Sequence, residues 1–293
     1  MPGAEPRITL SAYAKINLAL EVLGKRPDGF HEVAMIMQSV SLHDTVTMTL
    51  RDEGLTLVCD NSSLPCDDSN LAYRAADLLR QKFGVGKGVH IELIKRIPMA
   101  AGLAGGSTDA AAVLKGLNVL WNLALSPVEL ERLAACLGSD APFCLWGGTS
   151  LATGRGELLE PLPDFGGHGV VLANPPLQVS TAWAYGNFQR NLRPRLTDIP
   201  AMRGAIALHD FQLVAVQLFN ELESVTIPAH PQIAVLKERL AKGGAAGVLM
   251  SGSGPTVFAL TPDFASARRL AEQVSFEPGV AVIITETVAR EEK

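Results

Sequence analysis

The chain has few cysteines and no long apolar run. Its four cysteines, Cys59, Cys66, Cys136 and Cys144, fit neither the spacing of a zinc finger nor that of a C-x-x-C redox pair. Four cysteines in 293 residues are too few for a disulfide scaffold, so we expect reduced thiols. No segment reaches about 18 consecutive apolar residues, and residues 1–6 lack the features of a signal peptide. We therefore expect a cytoplasmic protein without a membrane partner.

An excess of positive charge is also absent. The 25 Lys and Arg residues are outnumbered by 30 Asp and Glu residues, which gives a net charge of −5. Surfaces that bind nucleic acid neutralise phosphates with clustered basic residues, so this balance argues against a nucleic-acid partner. The hydrophobic content of 47% and the charged content of 19% are typical of a folded globular protein. Any affinity for phosphate must come from a local site.

The apolar pattern predicts an irregular mixture of strands and helices. Alternation with a period of two predicts half-buried strands at 16–22 and 45–50. A helix is predicted over 70–83, entered from Asp68 or Ser69 and ended by Gly84. A capping box at Ser126 predicts another helix, which ends at Gly138. After a glycine-rich boundary at 166–169, strands are predicted near 170–173, 248, 256–260 and 280–285, and helices from about 181 and 201 and over 231–240 and 264–274. This mixture predicts α+β layers, not βαβ repeats.

The most informative segment is a loop of small residues at 98–111, with the sequence PMAAGLAGGSTDAA. It lies between a strand-like run at 91–94 and a helix-like run at 110–125. Small side chains let main-chain N–H groups approach an anion, and Ser107, Thr108 or Asp109 can cap the helix that follows. The loop therefore predicts a phosphate cradle, although a tight turn that only packs a helix is the alternative. Neither G-x-x-x-x-G-K-[ST] nor G-x-G-x-x-G is present.

Three short motifs together resemble a known superfamily. AKINL at 14–18, the 98–111 loop and SGSGPT at 251–256 stand in the order typical of the galactokinase, homoserine kinase, mevalonate kinase and phosphomevalonate kinase (GHMP) superfamily. RPDGFH at 26–31 and GSDAP at 138–142 resemble motifs of one kind of kinase in this superfamily. These kinases phosphorylate a cytidine diphosphate conjugate of methylerythritol. The resemblance implies ATP-dependent phosphorylation of the 2-hydroxyl of that conjugate, in the non-mevalonate pathway to isoprenoids.

The resemblance also implies a two-domain α+β fold. Residues 1–160 would form an N-terminal mixed α/β domain with the ATP cradle and the catalytic groups. Residues 161–293 would form a C-terminal ferredoxin-like α/β sandwich, with the active site in the cleft between the domains. A monomer or a weak homodimer is expected.

Phosphoryl transfer requires positioning, neutralisation of charge and a group that orients or deprotonates the attacking hydroxyl. By resemblance, Asp140 is this group, and Lys15 pairs with it and keeps it ionised. Whether Asp140 removes the proton or only orients the hydroxyl stays open. The residues alone also allow simpler interpretations, in which Asp140 makes a local turn hydrogen bond and Lys15 lies at a solvated strand edge.

Four further residues are expected to bind the cytidine conjugate. Asn17 shares a strand face with Lys15, because side chains alternate along a strand. Phe30 can stack on the pyrimidine, His31 can bind its polar edge, and Tyr185 resembles a second aromatic wall. A solvated histidine at a hairpin tip and ordinary helix packing of Tyr185 are the alternatives.

The remaining site residues rest on the resemblance. ATP-binding residues are expected at Pro98, Ala100, Ala101, Gly102, Leu103, Ala104, Gly105, Gly106, Ser107 and Thr108, with Asn70 and Lys95 near the adenine. Gly252, Ser253 and Gly254 are expected to bind substrate, and Ser107 to contact Mg²⁺. The alternative functions are another kinase of the superfamily, of homoserine or mevalonate type, and a non-catalytic nucleotide sensor.

Overall fold

The computed structural model describes residues 5–189 and 198–290. In these ranges the strands are β1 (Arg7–Lys25), β2 (His31–Arg51), β3 (Leu55–Cys59), β4 (Gly88–Ile94), β5 (Thr149–Thr153), β6 (Leu158–Pro161), β7 (Gly169–Asn174), β8 (Phe219–Asn220), β9 (Gly247–Met250), β10 (Val257–Thr261) and β11 (Ala281–Glu286). The helices are α1 (Leu71–Phe83), α2 (Gly105–Leu120), α3 (Pro127–Leu137), α4 (Ala141–Trp146), α5 (Thr181–Gly186), α6 (Ile199–Ala207), α7 (Phe211–Val216), α8 (Glu223–Ala229), α9 (Gln232–Lys242) and α10 (Phe264–Gln273).

The N-terminal sheet is built around two long antiparallel strands, β1 and β2. Its strand order is β3-β4-β2-β1-β8, while β5 pairs with β2 and β6 with β5. The β1–β2 register shifts between Tyr13 and Lys15 and again between Asn17 and Ala19. Such irregularities redirect side chains next to functional sites, and here they flank Lys15 and Asn17.

The C-terminal sheet is antiparallel, with the strand order β11-β7-β10-β9. Helices α5 to α9 lie between β7 and β9 along the chain, and α10 lies between β10 and β11. This order gives the β-α-β-β-α-β connectivity of a ferredoxin-like sandwich. The predicted α+β fold is therefore confirmed. The short strand β8 crosses back to pair in parallel with β1. The domain boundary expected at 160/161 stays a prediction.

The strand predicted at 16–22 is not half-buried. Within β1, the whole stretch from Ala14 to Leu20 is at most 4% exposed. Its side chains pack with residues of the C-terminal sheet, such as Leu172 and Phe258, in one apolar cluster. The prediction is wrong because a single-sequence pattern does not show that a second sheet covers the open face.

Helix boundaries confirm some of the expected signals and overturn others. The Ser126–Glu129 capping box opens α3 as predicted, whereas α1 is capped by Asn70 and not by Asp68 or Ser69. The helix after the small-residue loop is Gly105–Leu120, earlier at both ends than 110–125. Among the described residues, no helix combines the length and apolar character needed to cross a membrane.

Candidate active site

A cavity of about 1050 Å³ lies between the two halves of the chain. Its walls come from β1, the start of β2, the 98–107 loop, α5 and the loop after β9. The predicted site residues that line it are Lys15, Asn17, Phe30, His31, Asn70, Lys95, Pro98, Ala100, Ala101, Gly102, Ala104, Gly105, Gly106, Ser107, Asp140, Tyr185, Gly252 and Ser253. Most of the positions expected from separate motifs therefore face one space, of a size suited to a ligand.

Three predicted residues do not line the cavity. Leu103 and Thr108 are 1% exposed, and the Thr108 hydroxyl donates to the Tyr13 carbonyl at 2.7 Å. The Gly254 N–H donates to the Ser251 carbonyl at 2.9 Å and closes the loop that holds Gly252 and Ser253. In this structure all three support neighbouring cavity residues, so their expected ligand contacts stay predictions.

Lys15 and Asp140 meet in the cavity. The Lys15 Nζ lies 3.7 Å from the Asp140 Oδ2, with side chains 5% and 30% exposed. Lys15 also donates to the Asn17 Oδ1 at 2.7 Å and to the Gly102 carbonyl at 3.0 Å. Asp140 precedes α4 but makes no capping hydrogen bond with its side chain. The local-turn interpretation of Asp140 therefore has no support among the described contacts.

The N-terminus of α2 opens into the cavity without a side-chain cap. Ala104 is the N-cap residue, so the expectation that Ser107, Thr108 or Asp109 caps the helix is wrong. The first helical hydrogen bond runs from the Thr108 N–H to the Ala104 carbonyl at 3.0 Å. The N–H groups of the preceding turn are thus left for another acceptor, and the helix dipole favours an anion there.

The cradle loop follows a strained path that β1 and the loop after β9 hold in place. Ala100 and Ala104 have φ values of 48° and 60°, a left-handed conformation that costs an alanine about 1–2 kcal/mol. The Gly102 carbonyl, besides accepting from Lys15, accepts from the Ser251 hydroxyl at 3.0 Å. All three motifs of the sequence therefore meet at Gly102.

A buried charge cluster lies behind the cradle. Lys95 Nζ forms ion pairs with Asp44 and Asp109, and these three side chains are at most 6% exposed. Asp44 also accepts from the N–H groups of Arg96 and Ile97, whereas the Asp109 Oδ1 has no hydrogen-bond partner. The cluster ties the start of α2 to the β4 end of the sheet. Lys95 also lines the cavity, and its expected role near the adenine stays a prediction.

Burial makes Asp109 a titrating group near neutral pH. Burial raises the pKa of Asp109 to about 7. The Lys95 charge opposes this rise, and the Asp44 charge adds to it. The folded chain therefore retains a proton between about pH 4 and 7 that the unfolded chain has released, so this group's contribution to stability falls as pH rises.

Asp109→Asn should remove that dependence. When the pH rises from 5 to 8, the free energy of unfolding should fall by about 2 kcal/mol more in the wild type than in the variant. Urea denaturation at several pH values measures this difference. The exposed Asp68→Asn variant is the control and should follow the wild-type profile. Parallel profiles for Asp109→Asn and the wild type would contradict the assignment.

The aromatic residues gather at the other end of the cavity. The His31 and Tyr185 rings have centroids 5.3 Å apart at an interplanar angle of 32°. Phe30 is half exposed, and the Arg155 guanidinium lies 4.7 Å from its ring centroid. Burial, with a smaller effect of Lys25, lowers the pKa of His31, while burial and then Asp140 raise the pKa of Tyr185. At neutral pH this end therefore presents an uncharged imidazole and an uncharged phenol.

Sequence interpretation missed several cavity residues, notably Arg155 and Thr181. The Thr181 hydroxyl lies 3.1 Å from the Ser253 hydroxyl and links α5 to the glycine loop. Arg155 stands between two glycines in the β5–β6 connection, a pattern that predicts a turn able to present a side chain.

Comparisons with known proteins agree with this geometry. Residues 70–148 match the family described as GHMP kinases N terminal domain, and residues 202–279 match GHMP kinases C terminal. A homoserine kinase structure from Cytophaga hutchinsonii covers 99% of this chain and 97% of its own at a TM-score of 0.76 and 19% identity, which supports the fold. Fold and site together define a GHMP kinase.

Relatives with a higher sequence identity show which GHMP kinases the chain resembles most specifically. The 4-diphosphocytidyl-2-C-methyl-D-erythritol kinase of Brevibacillus brevis is 52% identical over 90% of this chain and 91% of its own. That of Gloeobacter violaceus is 49% identical over 96% of this chain and 94% of its own. A crystal structure of a 4-(cytidine 5'-diphospho)-2C-methyl-D-erythritol kinase, 34% identical, matches at a TM-score of 0.82 over 96% of this chain and 99% of its own. The chain belongs to the 4-diphosphocytidyl-2-C-methyl-D-erythritol kinase family.

Proposed function

We propose that the protein transfers the γ-phosphate of ATP to the 2-hydroxyl of 4-diphosphocytidyl-2-C-methyl-D-erythritol. The observation that carries the proposal is the shared cavity, in which the Lys15–Asp140 pair lies with the uncapped N-terminus of α2 and the His31–Tyr185 pair. This arrangement offers places for a triphosphate, a reacting hydroxyl and a pyrimidine. The reaction belongs to the non-mevalonate pathway to isoprenoids.

ATP is proposed to bind with its phosphates at the start of α2. The first N–H groups of α2 have no acceptor within the helix and are suited to phosphate oxygens. Mg²⁺ supplies positive charge to the phosphates when bound, and it commonly takes only one or two protein ligands. Ser107 fits such a role, because it lies in the first turn of α2 and lines the cavity. No group of three metal-binding side chains was found among the described residues.

Asp140 and Lys15 are proposed to act on the acceptor hydroxyl. Asp140 accepts a hydrogen bond from the hydroxyl and orients it, or takes its proton as it attacks. Lys15, held by Asn17 and the Gly102 carbonyl, keeps a positive charge beside Asp140. That charge stabilises the ionised carboxylate and the negative charge that develops during transfer.

The pyrimidine is proposed to bind among Phe30, His31 and Tyr185. Aromatic rings provide faces for stacking, and an uncharged imidazole has one N–H donor and one acceptor for the polar edge of cytosine. The lowered pKa of His31 supports the uncharged form. A homoserine or mevalonate would leave these groups without a partner, which argues against the alternative kinases. We also propose that the protein acts in the cytoplasm as a monomer or a weak homodimer.

Replacing His31 tests the substrate assignment. His31→Ala should raise KM for the cytidine conjugate about 5- to 150-fold, because the polar edge of the bound cytosine loses its partner. KM for ATP should change little. Steady-state kinetics in which each substrate is varied in turn measure both constants. His90→Ala is the matched control, since this histidine bonds Thr56 and does not line the cavity. Equal effects on both KM values would exclude His31 from the pyrimidine site.

A further inference from the structure

We propose that Arg155 binds the diphosphate of the substrate and is a specificity-determining residue. The proposal rests on the proposed function, because it assumes a substrate in which a diphosphate joins cytidine to the acceptor alcohol. In such a molecule the diphosphate must lie between the pyrimidine site and the reacting hydroxyl. The structure places the Arg155 side chain in that part of the cavity.

The β5–β6 turn fixes the position of Arg155. Gly154 and Gly156, on either side of it, have φ values of 72° and 114°, which favour glycine. The Gly154 carbonyl accepts from the Val33 N–H at 2.9 Å, and the Arg155 N–H donates to the Glu157 Oε2 at 2.6 Å. The turn is thus hydrogen-bonded to β2, and the Glu157 side chain closes it.

The same turn borders both ends of the expected substrate. On one side, the Arg155 guanidinium lies 4.7 Å from the centroid of Phe30, the expected pyrimidine wall. On the other side, a methyl group built on Gly156 would lie 3.7 Å from the Ser139 Cβ, the residue before Asp140. A group bound between Phe30 and Asp140 therefore passes the β5–β6 turn.

Two other cations of the cavity, Lys15 and Lys95, are less suited to this diphosphate. Lys15 is held beside Asp140 by two hydrogen bonds, and Lys95 is paired with two buried carboxylates. Lys25 also lines the cavity, on the side of His31. The Arg155 side chain is 27% exposed, and its Nε lies 3.5 Å from the Glu157 Oε1. A guanidinium has five N–H donors, so its outer edge can bind a phosphate in a bidentate way.

Binding of cytidine and CDP separates a diphosphate contact from support of the aromatic wall. Arg155→Met keeps an unbranched apolar stem against Phe30 and removes the charge. Calorimetry should show CDP affinity about 10-fold lower in Arg155→Met than in the wild type, and cytidine affinity within about twofold. Arg155→Lys should retain part of the CDP affinity. The exposed Lys242→Ala variant controls for the loss of one positive charge and should match the wild type.

Kinetics supply a second measurement on the same variants. Arg155→Met should raise KM for the cytidine diphosphate conjugate about 10-fold and leave kcat and KM for ATP nearly unchanged. Equal losses of cytidine and CDP affinity would mean that Arg155 only supports Phe30, and unchanged affinities would exclude any contact. Either result overturns the inference. A wild-type protein that binds neither cytidine nor CDP would instead contradict the proposed function.

Discussion

Asp140→Asn should lower kcat by at least about 100-fold while the affinity for ATP stays close to the wild-type value. The amide keeps the size of the carboxylate but cannot take a proton and carries no charge. Lys15, 3.7 Å away, would lose its ionic partner, yet its bonds to Asn17 and Gly102 would keep it in place. The defect should therefore appear in phosphoryl transfer and not in nucleotide binding.

Single-turnover kinetics and calorimetry with a non-hydrolysable ATP analogue separate these two effects. Asp52→Asn is the control, because Asp52 is exposed in the β2–β3 turn and does not line the cavity. Turnover of Asp140→Asn within a few-fold of the wild type would remove Asp140 from the mechanism. Rate loss with an equal loss of ATP affinity would indicate a role in positioning the nucleotide.

Gly102→Ala should destabilise the protein by at least about 3 kcal/mol and weaken ATP binding. Gly102 has a φ of 75°, and a Cβ there would lie 2.1 Å from the Ser251 carbonyl oxygen, which is backbone. The cradle loop and the loop after β9 would have to move apart. Their separation would also disturb the Gly102 carbonyl, which accepts from Lys15 and Ser251.

Gly84→Ala separates the clash from backbone strain. Gly84 ends α1 with a φ of 62°, and nothing lies within 4 Å of a Cβ built on it. This control should therefore lose only about 1 kcal/mol and should bind ATP normally. Chemical denaturation and calorimetry on both variants make the comparison. Equal stability losses would show that contact between the two loops contributes nothing to the cradle.

Local patterns predicted the parts of the fold that local chemistry determines. The capping box at Ser126 opens α3, and Gly84 ends α1, because these residues satisfy backbone groups of their own helix. The same reasoning failed at α2. Ala104 leaves that helix without a side-chain cap, an arrangement suited to an anion supplied by a ligand.

Contacts between distant residues could not be predicted from the sequence. Asp44, Lys95 and Asp109 come from three elements and form one buried cluster only after the sheet and α2 have packed. Strand β8 has two residues and pairs with β1 from the far half of the chain. By contrast, the Lys15–Asp140 pair was predicted, because the motifs around both residues resemble those of one family. No periodicity in the chain indicates that pair.

A phosphotransfer assay with a panel of acceptors identifies the alcohol that the protein phosphorylates. The protein is incubated with Mg-ATP and one of three alcohols: 4-diphosphocytidyl-2-C-methyl-D-erythritol, homoserine or mevalonate. Phosphorus NMR identifies the product, and ADP release gives the rate. We expect turnover of the cytidine conjugate alone, with the new phosphate on its 2-hydroxyl. Faster turnover of homoserine or mevalonate, or binding of ATP without transfer to any of the three, would show that the protein is not a kinase of the cytidine conjugate.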